Sequence, residues 1–126
     1  MKINRLKFTT AFLTAVILSV TVFAQTATRI TFARGRSSAT LSGSVSGGGG
    51  QKEYVLRGKK GQTLWANVTS SCEGVMIEVL DGGNGQSFGD ASTEFRDELP
   101  GTDDFIIRVQ NSDEGLCKFS LKVGIE

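Results

Sequence analysis

The 126-residue sequence contains no histidine. No imidazole can therefore take a proton from a serine or cysteine nucleophile, which excludes Ser-His-Asp and Cys-His chemistry. It has two cysteines, Cys72 and Cys117, too few to complete a tetrahedral zinc site. Trp65 and Tyr54 are the only amphipathic rings. That leaves too little aromatic interleaving for a surface that stacks nucleic-acid bases. Carboxylates come as sequence neighbours, Asp97 with Glu98, Asp103 with Asp104, and Asp113 with Glu114. Neighbours on a strand point to opposite faces, so these pairs do not build a facing acid and base of the glycosidase kind. Gly47 to Gly50 is followed by no Gly-Lys-Ser/Thr and is not a phosphate loop. Asp81 to Gly85 lacks the spacing and closing glutamate of an EF-hand loop and reads as a glycine-rich turn. No cofactor and no metal are implied.

Acidic residues are also missing from the whole stretch before Glu53. At its start stand Lys2, Arg5 and Lys7, then an apolar run from about Ala11 to Phe23, then Val22-Phe23-Ala24 ahead of Gln25. This order of positive, apolar and small residues predicts a secretory signal over 1–24, with an apolar run too short to span a bilayer. The mature domain is then 25–126, periplasmic or secreted. All 13 acidic residues fall in that part, against 11 of the 14 basic ones, giving it a formal charge of −2. A near-neutral domain has no field that would recruit nucleic acid, and no membrane insertion is expected after cleavage. In an oxidising compartment Cys72 and Cys117 are expected to form one disulfide.

What the chain has in quantity is alternation and glycine. Ile30 and Phe32 share one face of a first strand. Ala39, Leu41, Gly43 and Val45 alternate with Thr40, Ser42, Ser44 and Ser46. Strands follow at 53–57, 63–68, around Val75, Ile77 and Val79, at 94–99, around Phe105, Ile107 and Val109, and from Phe119 to Ile125. A further short one is possible near Ser87 and Phe88. The 16 glycines and the single proline fall mostly between these runs, where turns need them. The pattern predicts an all-β fold: a single antiparallel β-sandwich or flattened barrel of about eight strands with one disulfide. If direction reverses at every turn, the loops 47–50, 70–74 and 111–115 share one end, stapled by Cys72 and Cys117. Arg34, Arg36, Lys59 and Lys60 then gather at the other end.

One stretch has specific wording. Ile30-Thr31-Phe32-Ala33-Arg34-Gly35-Arg36-Ser37-Ser38-Ala39 runs into Ser42-Gly43-Ser44-Val45-Ser46-Gly47, then Tyr54, then Lys59-Lys60-Gly61-Gln62-Thr63-Leu64. With the Leu99-Pro100 turn and Phe105 to Val109, this resembles the bacterial inhibitors of g-type lysozyme, over residues 30–64 and 99–109. The resemblance implies an exported, non-enzymatic protein that blocks a peptidoglycan hydrolase cleft with loops at one end of the sandwich. Gly48, Gly49, Asn111, Ser112, Asp113 and Glu114 would then be the partner-binding positions. In that family the first of these loops is richer in aromatics and the last is longer and basic, whereas here they are glycines and an acidic turn. The wording around Lys60-Gly61-Gln62 also resembles pre-peptidase C-terminal domains. That implies the alternative of a module binding carbohydrate or the cell envelope, through Trp65 or Tyr54. Apart from any resemblance, the basic residues Arg34, Arg36, Arg57, Lys59 and Lys60 are candidates for an anion-binding patch at one end of the domain. A structural envelope protein without a conventional ligand is the third reading.

Overall fold

A computed structural model describes residues 27–126, so the segment read as a secretory signal lies outside the described residues. Eight strands are present: β1 (Thr28–Arg29), β2 (Ser38–Val45), β3 (Gly50–Gly58), β4 (Thr63–Ser70), β5 (Val75–Asp81), β6 (Glu94–Glu98), β7 (Asp103–Asn111) and β8 (Cys117–Ile125). They form two four-stranded sheets. One has the order β1-β3-β7-β5 and the other β2-β8-β4-β6. Odd-numbered strands all lie in the first sheet and even-numbered strands in the second, so every connection crosses between sheets. The result is an open sandwich rather than a closed barrel. Among the described residues no helix is long and apolar enough to cross a membrane.

Alternation sets the layers. Tyr54 and Leu56, Val75, Ile77 and Val79, and Phe105, Ile107 and Val109 point inward from the first sheet. Leu64, Ala66 and Val68, and Phe119, Leu121, Val123 and Ile125 point inward from the second. All are buried, and together they make one continuous core. The intervening residues lie on the outer faces, as period two requires, most of them exposed or half-buried and Gly124 covered by Trp65.

Three local expectations change. The first strand is displaced to Thr28–Arg29, and it runs parallel to β3, pairing Thr28 with Tyr54 and Arg29 with Val55. Its far end is held by Arg29, whose guanidinium donates to both oxygens of Asp104 at 2.9 and 3.3 Å. That contact holds the Asp104 carboxyl below the usual carboxylate range. The segment at Ser87 forms an isolated bridge to Leu80 instead of a strand. The third change concerns Tyr54, offered above as a glycan-binding ring. It is 3% exposed, its ring edge against Phe119 with centroids 6.4 Å apart, beneath Gly43, where a Cβ would strike Phe119. It is a core residue and cannot serve as a surface platform.

Burial pushes the Tyr54 phenol above its ordinary value. The folded state therefore keeps this proton after the unfolded chain, titrating near about 10, has lost it. The stabilisation from the neutral buried ring is complete below that pH and is lost as pH rises through the folded value. The melting temperature is expected to fall as pH passes about 10, and Tyr54→Phe to remove this part of the fall. An equal fall in both proteins would contradict the assignment. Tyr54 is the only tyrosine, so phenolate absorbance reports on it alone.

Candidate functional site

The two outer sheet faces and the two ends differ in what they leave unsatisfied. On the outer face of the first sheet Glu53, Arg108 and Glu78 lie in register across β3, β7 and β5. The Arg108 guanidinium donates to Glu53 at 2.8 Å and to Glu78 at 3.4 Å. This row ties its one guanidinium to both carboxylates, so none of its three charged groups is left without an ion-pair partner.

One end is built differently. The β2–β3 loop (46–49), the β4–β5 loop (71–74) and the β7–β8 loop (112–116) meet there, and each crosses between the sheets. The parity of the strands gives this arrangement, and backbone hydrogen bonds lock it. Gly48 N–H donates to the Asp113 carbonyl at 2.8 Å and Gly49 N–H to the Asn111 carbonyl at 2.9 Å. Ser112 N–H donates to the Gly74 carbonyl at 3.0 Å. Gly47 is where the first loop passes the third: a Cβ there would strike the backbone of Asp113 and Gly115. Gly48 and Gly49 take φ of 71° and 94°, conformations that favour glycine.

Two further devices brace this end. Cys72 and Cys117 form a disulfide that pins the second loop to the start of β8. Asn111 is fully buried and acts as a hub. Its amide nitrogen donates to the carbonyls of Val45 at 3.2 Å and Gly115 at 3.0 Å, and its amide oxygen accepts from Asp113 N–H at 2.9 Å. The Asp113 carboxylate turns inward and accepts from Gly74 N–H at 2.9 Å. It also lies within 4.8 Å of both cysteine sulfurs. Those sulfurs are bonded to each other and are poor metal ligands in that state.

The six positions expected at a partner surface therefore divide. Gly48, Gly49, Ser112 and Glu114 are exposed on the loop end, while Asp113 is half-buried and bonded internally. Asn111 is a correction: with no exposed surface it holds the loops from within and cannot touch a partner. Reading the sequence missed Leu116, two positions after Glu114 and 70% exposed, and Met76, which is 38% exposed. Met76 lines an indentation of about 150 Å³ with Gly49, Gly74, Ala91, Gln110 and Ser112. A leucine between Gly115 and Cys117 gave some signal, since it interrupts a polar loop without belonging to the alternation of β8.

Of the alternative positions, Arg34, Arg36, Lys59 and Lys60 are exposed in the connections at the other end. There Lys60 N–H donates to Thr102 Oγ1 at 3.0 Å. Trp65 is half-buried on the outer face of the second sheet, in register with Gly124 on β8 and Arg96 on β6. What the loop end offers is a braced surface with two exposed apolar side chains, Leu116 and Met76, and the acidic Glu114, an arrangement that suits docking.

No model of a known protein family matches the chain, and none of the curated proteins matches it. Solved structures do. A pre-peptidase C-terminal domain of a collagenase from Bacillus anthracis superposes with a TM-score of 0.57 at 15% identity, over 81% of this chain and 96% of the other. The periplasmic inhibitor of g-type lysozyme from Escherichia coli, PliG, in a mutant form, gives 0.60 at 23% over 79% and 96%. The Aeromonas hydrophila PliG gives 0.71 at 26% over 80% and 96%. The chain is thus similar, over nearly its whole described length, to the periplasmic inhibitors of g-type lysozyme, the family that residues 30–64 and 99–109 resemble.

Proposed function

We propose that this protein is an exported, non-enzymatic inhibitor of a peptidoglycan hydrolase of the g-type lysozyme kind. It acts by laying its 46–49, 71–74 and 112–116 loops over the substrate cleft. The observation that carries the reading is the loop end itself: three sheet-crossing loops are tied by a disulfide and a buried asparagine, and they present Leu116 outward. Holding loops rigid before binding lowers the ordering cost of association. Leu116 is the apolar anchor, and Glu114 with Glu73 form a rim of charge opposite to that of a basic enzyme. The likeness to the Aeromonas hydrophila inhibitor supports the partner class and a periplasmic or secreted location. The alternative, an envelope-binding module like the pre-peptidase domain, shares the fold and differs in its working surface, which would be a sheet face.

Turbidity of cell walls under g-type lysozyme tests this directly. The protein is expected to slow clearing. Leu116→Asp is expected to cost about 2 kcal/mol of binding, a roughly thirtyfold weaker inhibition, without lowering the melting temperature. No slowing of g-, c- or i-type lysozyme, or full inhibition by Leu116→Asp, would reject the reading.

A further inference from the structure

The outer face of the second sheet is uneven in how its polar groups are satisfied. Cross-strand rows run Ser38, Gly124, Trp65, Arg96 and Thr40, Lys122, Asn67, Glu94. In the first row Gly124 has no side chain, and the Trp65 ring fills the place: a Cβ on Gly124 would collide with Cζ2, Cε2 and Nε1 of the indole. The Cζ2–Cε2–Nε1 side of the indole is therefore packed on the β8 backbone at Gly124, and the ring stays half-buried at the surface. Beside it is a shallow cleft of about 220 Å³ lined by Trp65, Asn67, Glu94, Phe95 and Arg96.

Around this cleft, polar groups lack partners. Arg96 is engaged with Glu126 at 2.8 Å. Among the described residues the Asn67 amide and the indole N–H of Trp65 make no hydrogen bond, and Glu94 and Lys122 make no ion pair. Half-buried amide and indole donors without a protein partner are left to water or to a ligand that displaces it. A flat aromatic face ringed by an unpaired amide, a carboxylate and N–H donors matches a pyranose ring, whose C–H face packs on the indole while its hydroxyls take the polar groups. The amide adds a donor and an acceptor at one point, the complement of an acetamido substituent.

We propose that this face is a saccharide-binding site for a pyranose chain carrying N-acetyl groups, with Trp65 as platform and Asn67 and Glu94 as the groups that fix orientation. It is built on β4, β6 and β8 and does not use the loop end, so a glycan and a protein partner could be held at once. The site does not depend on the inhibitor reading.

Trp65 is the only tryptophan, so its fluorescence reads the site without a label. Titration of the protein with chitohexaose is expected to give a saturable change in emission, and cellohexaose of equal length a response at least fivefold weaker. Asn67→Ala, which keeps the platform and the packing on Gly124, is expected to weaken chitohexaose at least fivefold. Leu116→Asp is expected to leave the titration unchanged, so this site and the loop end can fail separately. Absence of any emission change with chitohexaose overturns the proposal. An equal response to cellohexaose, or an undiminished one in Asn67→Ala, overturns the assignment of acetamido recognition to Asn67.

Discussion

Reducing the Cys72–Cys117 bond is expected to lower the melting temperature by on the order of 20 °C. The two residues are 45 apart in sequence. On the chain-entropy account, freeing a loop of that size in the unfolded state costs about 4 kcal/mol, and for a domain of roughly 100 residues each kcal/mol moves the midpoint by some 4 to 8 °C. The bond does not span open space. Cys117 is buried at the first position of β8, and Cys72 lies in a loop whose neighbour Ser70 donates from its hydroxyl to the Lys118 carbonyl at 2.7 Å. The native geometry is thus held by more than the bond, and the reduced protein is expected to fold to the same structure with less margin. A thermal melt with and without reductant, repeated on the Cys72→Ser/Cys117→Ser double variant, measures this. Coincident melts would mean that the covalent link adds nothing beyond the contacts around it.

Much of this arrangement was legible from alternation. Inward positions such as Leu64, Ala66 and Val68, or Phe105, Ile107 and Val109, follow from a period of two. Counting reversals was enough to place Cys72 and Cys117 at one end. Pairing was not legible, for a topological reason. Because each strand changes sheet, no sequence-adjacent strands pair, and β2 finds β8 from the far end of the chain. Local patterns carry no record of such long-range partners, and loop-closure entropy opposes them until the core forms.

The candidate sites divide on the same line. Tyr54 and Trp65 are both amphipathic rings on strands, and nothing in either side chain tells core from surface. Phase decides it: Tyr54 is in step with Leu56, while Trp65 is out of step with Leu64 and Ala66. That signal was available in the sequence. The glycine opposite Trp65 was not, since it depends on the β4–β8 register. Asn111 was read as a loop residue because polar residues after a strand are usually solvated. Its role emerges only when the end of β2 arrives from across the sandwich and brings the Val45 carbonyl within reach of the same amide that holds Gly115.

That role makes Asn111→Ala the most damaging single substitution expected at the loop end outside the two cysteines. The change removes both donations, to Val45 and Gly115, and the acceptor for Asp113 N–H, at a position with no access to water. Buried polar groups left without partners cost about 1 to 3 kcal/mol each, and partial relaxation of the loops offsets some of this, so a loss of about 3 kcal/mol is expected. Asn111→Asp separates the amide's two functions. It keeps the acceptor, loses both donors and buries a charge, so at neutral pH it is expected to be at least as unstable as the alanine variant. The buried carboxyl is pushed up in pKa, so its protonated form is favoured in the folded state. Stability is then regained as pH falls, when the protonated carboxyl becomes a donor to one of the two carbonyls. Chemical denaturation of the three proteins between about pH 4 and 8 shows whether the aspartate variant recovers and the alanine variant does not. If Asn111→Ala unfolds at the wild-type midpoint, the loops are held by the disulfide and backbone bonds alone, and the preorganised end on which cleft blocking depends loses its central support.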